Sequence, residues 1–361
     1  LLMGIETDDI VEKFGNLIEK SVFDNLREID QHKQATHNKK QRAQQIAVAF
    51  SGGVDSAVLS KLLENAGYKQ TCYVVGVKGC NDFKAAEQAA IELGIELKKI
   101  EVSESEVTKA IKIQKQILIN IYKKHKKECL QPTPLSVSFN LPLFFVAKYA
   151  KEKCIFAGQG PDEMLGGYSR YAILQEQNLC REERHAIVQK NDLWCEKRHA
   201  ILQEQNLCHE ERHAVVQKNN ILQTGVCNAI AYRNLSSEKL HSTIQKDDVI
   251  KEIEHDTKNL KYALLQNKAT VEYFNKKLKC PYINKKIADF CLNLLFELKI
   301  TKDVKGNIIN KYLLRLLAKK LGMSNEIAFR KKKAAQYGSG FWKIVRRASS
   351  EHQQKKFLEF E

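Results

Sequence analysis

Ser51, Gly52, Gly53, Asp55 and Ser56 stand within six residues of one another, between the apolar run IAVAF and the helical pattern AVLSKLLENAG. Hydroxyls, glycines and one carboxylate so placed suit the holding of a pyrophosphate together with its cation. Glycine lets the backbone turn sharply and approach an anion with no side chain in the way. The hydroxyls of Ser51 and Ser56, the loop amides and the N-terminus of the following helix then supply donors to the phosphate oxygens. Asp55 would repel a bare anion, which assigns it to a Mg²⁺ that neutralises the phosphates. The pattern G-x-x-x-x-G-K-[ST] is absent, which argues against ordinary γ-phosphate transfer; the strand–turn–helix arrangement is read as handling ATP by cleavage between its α- and β-phosphates.

A second segment, KCIFAGQGPDEMLGGYSRY at 153–171, repeats the design in acidic form: an apolar strand, CIFA, runs into a glycine-rich turn bearing Asp162 and Glu163. A parallel sheet presents ligands at the carboxyl ends of its strands, so the two turns are expected to face one pocket.

The elements needed to place these turns are legible around them. Residues 4–45 carry apolar residues at helical spacing, as one or two helices. Residues 46–102 alternate strand, helix, strand, helix, strand, the order of a doubly wound parallel sheet. A helical stretch comes next, VTKAIKIQKQILINIYKKHKK, and QPTPLSVSFNLPLFFVAKYAKEK then reads as a turn leading into an apolar helix. Beyond residue 228 the pattern is helical. Between lies a tandem repeat of period 14, with units beginning at Ala172, Ala186, Ala200 and Ala214, whose apolar positions make one stripe on a helix. It is expected to project as a helix or helical hairpin. His185, His199 and His213 recur in it, but a spacing of 14 residues sets neighbours about 21 Å apart on a straight helix, too far to share an ion. The expected division is thus an N-terminal helical segment (1–45), a nucleotide domain (46–171), the repeat insertion (172–220), a helical C-terminal part (221–345) and a charged tail (346–361).

Composition excludes several classes. At 361 residues and 43% apolar, the chain can bury one large core or two of moderate size. It has no run of eighteen apolar residues, and LLMGIETDDIVEKFG lacks the apolar segment of a signal peptide. Ten cysteines are present without a C-x-x-C pair, which excludes a zinc ribbon and a redox motif and suits a reducing cytoplasm. The net charge of +16 invites nucleic acid as a partner. The lysines are spread widely, however, and KKHKK at 123–127 and RKKK at 330–333 are not interleaved with aromatics, so a solvated surface and an anionic substrate account for them. Neither membrane nor nucleic acid is expected as a partner.

SGGVDS together with GQGPDEMLGGYSRY resembles the synthetase domain of the asparagine synthetase family, an ATP-pyrophosphatase of the PP-loop type. VVGVKGCNDFKAAEQAAIELG (74–94), CPYINKKIADFCLNL (280–294) and IAFRKKKAAQYGSG (327–340) are similar to later segments of that family, in order. The resemblance implies an α/β fold: a doubly wound parallel sheet of the PP-loop (adenine nucleotide alpha hydrolase-like) type with a helical C-terminal lobe. It implies that a carboxylate, by the family that of aspartate, attacks the α-phosphate of ATP, and that ammonia then displaces AMP to leave an amide. By the same resemblance Asp55 and Asp162 hold Mg²⁺, and Ser51, Gly52, Gly53 and Ser56 hold the pyrophosphate. Phe50, Val75, Ala157 and Gly158 line the nucleoside. Lys332, with Lys333 as its neighbour in register, faces the phosphate in the transition state.

Three departures from the family pattern stand out. Gln159 replaces a glutamate in the acidic turn, and an amide cannot take a proton as a base. Gln266 and Asn267 stand where the family has an Arg-Asp pair, and Asn284 where an aspartate follows the Pro-aromatic pair. The residues before 46 are too few for the family's N-terminal glutaminase domain, so the chain is expected to use free ammonia, ammonia from a separate glutaminase subunit, or another amine. Two other readings remain open: a PP-loop enzyme that adenylates a tRNA base, and a non-catalytic relative that binds ATP.

Overall fold

In the computed structural model the described residues are 2–34, 45–126, 131–168, 170–171, 235–331 and 335–353. The repeat units at 172–220, and Lys332 and Lys333, lie outside them. The chain divides into two compact units, Leu1–Gly167 with Ile253–Glu361 and Tyr168–Glu252. The first unit carries the parallel sheet.

That sheet is built from β1 (Ile46–Ala49), β2 (Gln70–Gly76), β3 (Leu97–Glu101), β4 (Cys154–Ala157) and β5 (Lys277–Lys279), in the order β3-β2-β1-β4-β5. All four pairings are parallel; Ala49, for instance, lies opposite both Tyr73 and Ala157. The three central strands are almost wholly buried, as continuous apolar runs in a parallel sheet must be. The edge strands LKKIE and KLK carry lysines, which discourage pairing with a further strand.

Successive side chains of the central strands alternate between two cores. Ile46, Val48, Cys72, Val74, Cys154 and Phe156 enter one, with α1 (Leu2–Gln34) and α2 (Val54–Asn65). Ala47, Tyr73, Val75, Ile155 and Ala157 enter the other, with α4 (Glu104–Lys124) and α5 (Pro134–Tyr149). α3 (Asn81–Leu93) comes after β2 and closes the first layer. Local chemistry starts the long helices of the second layer: Ser103 with Glu106, and Thr133 with Ser136, form capping boxes.

The acidic turn after β4 forms a short helix, α6 (Pro161–Met164). Among the described residues the remaining elements are α7 (Leu235–Glu272), α8 (Lys285–Leu292), α9 (Phe296–Lys299), the antiparallel hairpin β6 (Ile300–Lys302) and β7 (Ile308–Asn310), α10 (Tyr312–Lys320), α11 (Asn325–Ala328), α12 (Ala335–Gly338) and α13 (Phe341–Gln353). The C-terminal part is therefore helical but also gives the sheet its last strand, β5, which at three residues is too short to show an alternation in sequence. Among the described residues no helix is long and apolar enough to cross a membrane.

Candidate active site

The strand order reverses at β1. The chain builds outward through β2 and β3, then returns to place β4 on the other side of β1. Such a reversal opens a crevice at the carboxyl ends of the two strands where it occurs. The glycine–hydroxyl loop leaves β1 and the acidic turn leaves β4, so both motifs open onto that crevice.

The first loop is shaped by close approach. Gly52 adopts φ +70°, and a Cβ there would meet the Ala85 backbone of α3. Gly53 is the N-cap of α2, with no side-chain hydrogen bond at the cap. The Ser56 hydroxyl donates to the Gly53 carbonyl at 3.0 Å. From the other side, the Gly158 backbone lies against Asp55, where a Cβ would come within 3.0 Å of the Asp55 carbonyl carbon. The two loops thus touch through bare backbone.

Their carboxylates meet on a lysine far away in sequence. The ammonium of Lys311 donates to both oxygens of Asp55 at 2.7 Å and lies 3.1 Å from Asp162 Oδ1. Its side chain is completely buried, while those of Asp55 and Asp162 keep a small exposed fraction. Burial pulls the Lys311 pKa below the ordinary lysine value, and the Asp55 charge opposes that pull. Two carboxylates converging on one cation form the donor set a hard divalent ion prefers. Among the described residues no group of three or more His, Cys, Asp or Glu could hold a metal by itself. A Mg²⁺ here would accordingly complete its coordination with phosphate oxygens and water, its habit at nucleotide sites.

A backbone framework holds this cradle. Lys311 itself adopts the left-handed region, φ +55°, as N-cap of α10. Its N–H donates to the Leu165 carbonyl, and the Asn310 side chain donates to the Gly166 carbonyl at 2.8 Å, so β7 is fastened to the acidic turn. Arg315, buried on α10, donates to the carbonyls of Asn310 (2.6 Å), Ala328 (2.7 Å) and Arg330 (3.2 Å). Arg330 in turn donates to the carbonyls of Gly52 and Ala85. The two arginines tie the glycine loop, the lysine-bearing helix start and the segment leading into RKKK into one support. The Tyr282 hydroxyl adds a bond of 2.9 Å to the Asp55 carbonyl, which gives the Pro-aromatic pair a physical task.

The departures from the family pattern also find places. Asn284 caps α8 by accepting from the Lys286 N–H, a task asparagine and aspartate do equally well. Gln159 and Asn267 bond directly to each other, Asn267 donating. Gln266 accepts from Asn140. Two neutral amides thus answer each other across the space between β4 and α7.

Of the residues singled out from sequence, Asp55 and Asp162 share one cation, and Ser51, Gly52, Gly53, Ser56 and Gly158 lie on the two loops around it. Phe50 directly follows β1 and Ala157 ends β4, beside these loops, and both are buried. The Val75 side chain is spent in the core with Tyr73 and Phe145, so only its backbone is left for a nucleoside. Lys332 lies outside the described residues. Sequence reasoning missed Lys311 and Arg315 and gave Tyr282, the aromatic of the Pro-aromatic pair, no task; only the need of two adjacent carboxylates for a partner signals the first.

The model of the asparagine synthase family matches residues 30–359. A protein described as "Putative asparagine synthetase [glutamine-hydrolyzing] 1", from Methanocaldococcus jannaschii, is 28% identical over 130 residues, which are 35% of this chain and 22% of that protein. The chain thus matches about a fifth of that relative's length. Among solved structures, one described as a predicted subunit of tRNA methyltransferase from M. jannaschii is 24% identical with a TM-score of 0.24, covering 33% of this chain and 55% of the other. An NH3-dependent NAD synthetase from Campylobacter jejuni is 19% identical with a TM-score of 0.25, covering 45% and 60%.

Proposed function

Since the chain belongs to the asparagine synthase family, we propose that it is an ATP-dependent ligase that activates a carboxylate as its adenylate and joins it to ammonia. Aspartate is the proposed acid, asparagine and AMP the proposed products, and a separate glutaminase subunit one source of the ammonia. The observation that carries this reading is the convergence of Asp55 and Asp162 on one buried point in the crevice between β1 and β4.

In the first step a carboxylate oxygen bonds to the α-phosphorus while the bond from that phosphorus to the α,β-bridging oxygen breaks. Pyrophosphate leaves with the electron pair. The loop amides around Gly52 and Gly53, the hydroxyls of Ser51 and Ser56 and the N-terminus of α2 would hold it. Asp55 and Asp162 would hold Mg²⁺, which when bound neutralises charge on the departing phosphates. Lys332 is the proposed positive group facing the reacting phosphate, and its support is Arg330, anchored on the Gly52 carbonyl two residues earlier. In the second step the ammonia nitrogen attacks the acyl carbon, the carbon–oxygen bond to AMP breaks, and one N–H proton is lost. Gln159 can orient a reactant by hydrogen bonding but cannot receive that proton.

The test is pyrophosphate release with ATP, Mg²⁺, aspartate and ammonium, alongside Asp55→Ala. Release that requires aspartate and stops in the variant is expected. Release without aspartate would retain the nucleotide chemistry and replace the acid substrate. No release while ATP still binds would make the chain a non-catalytic relative.

A further inference from the structure

The geometry points to Lys311 as a resident counter-ion that makes divalent-metal binding at Asp55 and Asp162 conditional on the polyphosphate; this rests on the ATP reading above. The ammonium stands at the point both carboxylates reach, with three oxygens within 3.1 Å and no exposed surface. Counted as formal charges, the two carboxylates and the lysine sum to −1, and a bare divalent ion would turn that to +1 while facing an ammonium at close range. Arg315 and Glu163, the next charges acting on Lys311, are of opposite sign.

A polyphosphate changes the balance. Its oxygens offer the ammonium new partners, so the metal can take the carboxylates while the lysine turns onto phosphate, and each cation keeps an anionic partner. The main chain of Lys311 need not move for this exchange. It is fixed by its own N–H on Leu165, by Asn310 on Gly166 and by Arg315 on Asn310. The moving part is the flexible four-carbon stem. Lys311 is thus a positioning residue that couples two ligands, and coupling between ligands is reciprocal.

The measurement is Mn²⁺ binding by electron paramagnetic resonance, with and without α,β-methylene-ATP, which cannot be cleaved between its α- and β-phosphates. In the unaltered protein Mn²⁺ is expected to bind at least about tenfold more tightly with the analogue than without it. In Lys311→Met, bare Mn²⁺ should bind more tightly than in the parent, the analogue should bind more weakly, and the ratio should fall towards one. Equal Mn²⁺ affinity with and without the analogue in the unaltered protein overturns the inference. So does an unchanged ratio in the variant. Should Lys311→Met fail to fold by circular dichroism, Lys311→Gln serves in its place, and the ratio in the unaltered protein decides if neither folds. An analogue that does not bind the unaltered protein at all removes the ATP reading and this inference together. Binding with an unchanged ratio removes the inference alone.

Discussion

Around Lys311 the buried charges face opposite charges or carbonyl oxygens, whereas around Gln266 and Thr270 the buried groups are neutral, and several amide oxygens there face no donor among the described residues. In the first region Asp55 and Asp162 share one ammonium, and the Arg315 guanidinium is spent on three carbonyls. In the second, Gln114 donates to Thr270 at 2.9 Å, Asn140 donates to Ser136 and Gln266, and Asn267 donates to Gln159. Among the described residues the oxygens Gln114 Oε1, Asn140 Oδ1 and Asn267 Oδ1 have no hydrogen-bond partner. Two of these orientations are forced. The Ser136 carbonyl can only accept, and the Thr270 hydroxyl already gives its proton to the Gln266 carbonyl. The difference is one of cost: an unmatched buried charge costs several kcal/mol, an unmatched amide oxygen about 1–3 kcal/mol. A fold can leave the second open but must close the first.

The largest break in that comparison comes from Lys311→Met, which strands two carboxylates. It should lower stability in urea unfolding by about 3–5 kcal/mol, the usual loss when one partner of a buried pair is removed. Gln114→Leu is the matching change in the amide region. It removes one donor to Thr270 together with an unsatisfied oxygen, so a change of about 1 kcal/mol or less, of either sign, is expected in the same assay. Equal losses in the two variants would end the distinction.

The smallest effect is expected at a charge near the surface. Hydrogen bonds from the Tyr149 hydroxyl, the Ser103 N–H and the Ser103 hydroxyl hold the Glu106 pKa down from 4.5 to about 2. A carboxylate lowered on folding stabilises the native state above its unfolded value and loses that contribution as pH falls through its folded value. Glu106→Gln should therefore lower stability slightly at neutrality and flatten the profile between about pH 4.5 and pH 2 in acid titration followed by circular dichroism, its difference from the parent vanishing at the acid end.

Much of the site could be read from sequence because its informative parts are local. The strand, glycine turn and helix start of 46–56 occupy consecutive residues, and so do those of 154–164. That these turns open onto one crevice came from a rule about parallel sheets, and β1 and β4 are indeed neighbours. Lys311 was illegible for the opposite reason. It lies 256 residues from Asp55, and in NKYLLRLLAKK it looks like any lysine at the start of an amphipathic helix. Tyr282, visible only as part of the Pro-aromatic pair, and Arg315 act on main-chain atoms of remote segments, contacts no residue pattern records. Strand β5 escaped because three residues, two of them lysine, carry no alternation. Conversely, the neutral residues at 159 and 267 look in sequence like separate losses, and the structure makes them a bonded pair.

The sheet order also bears on how this gene can change. β4 and β5 are hydrogen-bonded neighbours, yet residues 158–276 intervene, and the 14-residue units lie inside that stretch. Joining two strands across so long a connection costs an entropy that grows only with the logarithm of its length. A gain or loss of one unit by replication slippage is therefore expected to leave the β4–β5 pairing and the crevice beside it in place.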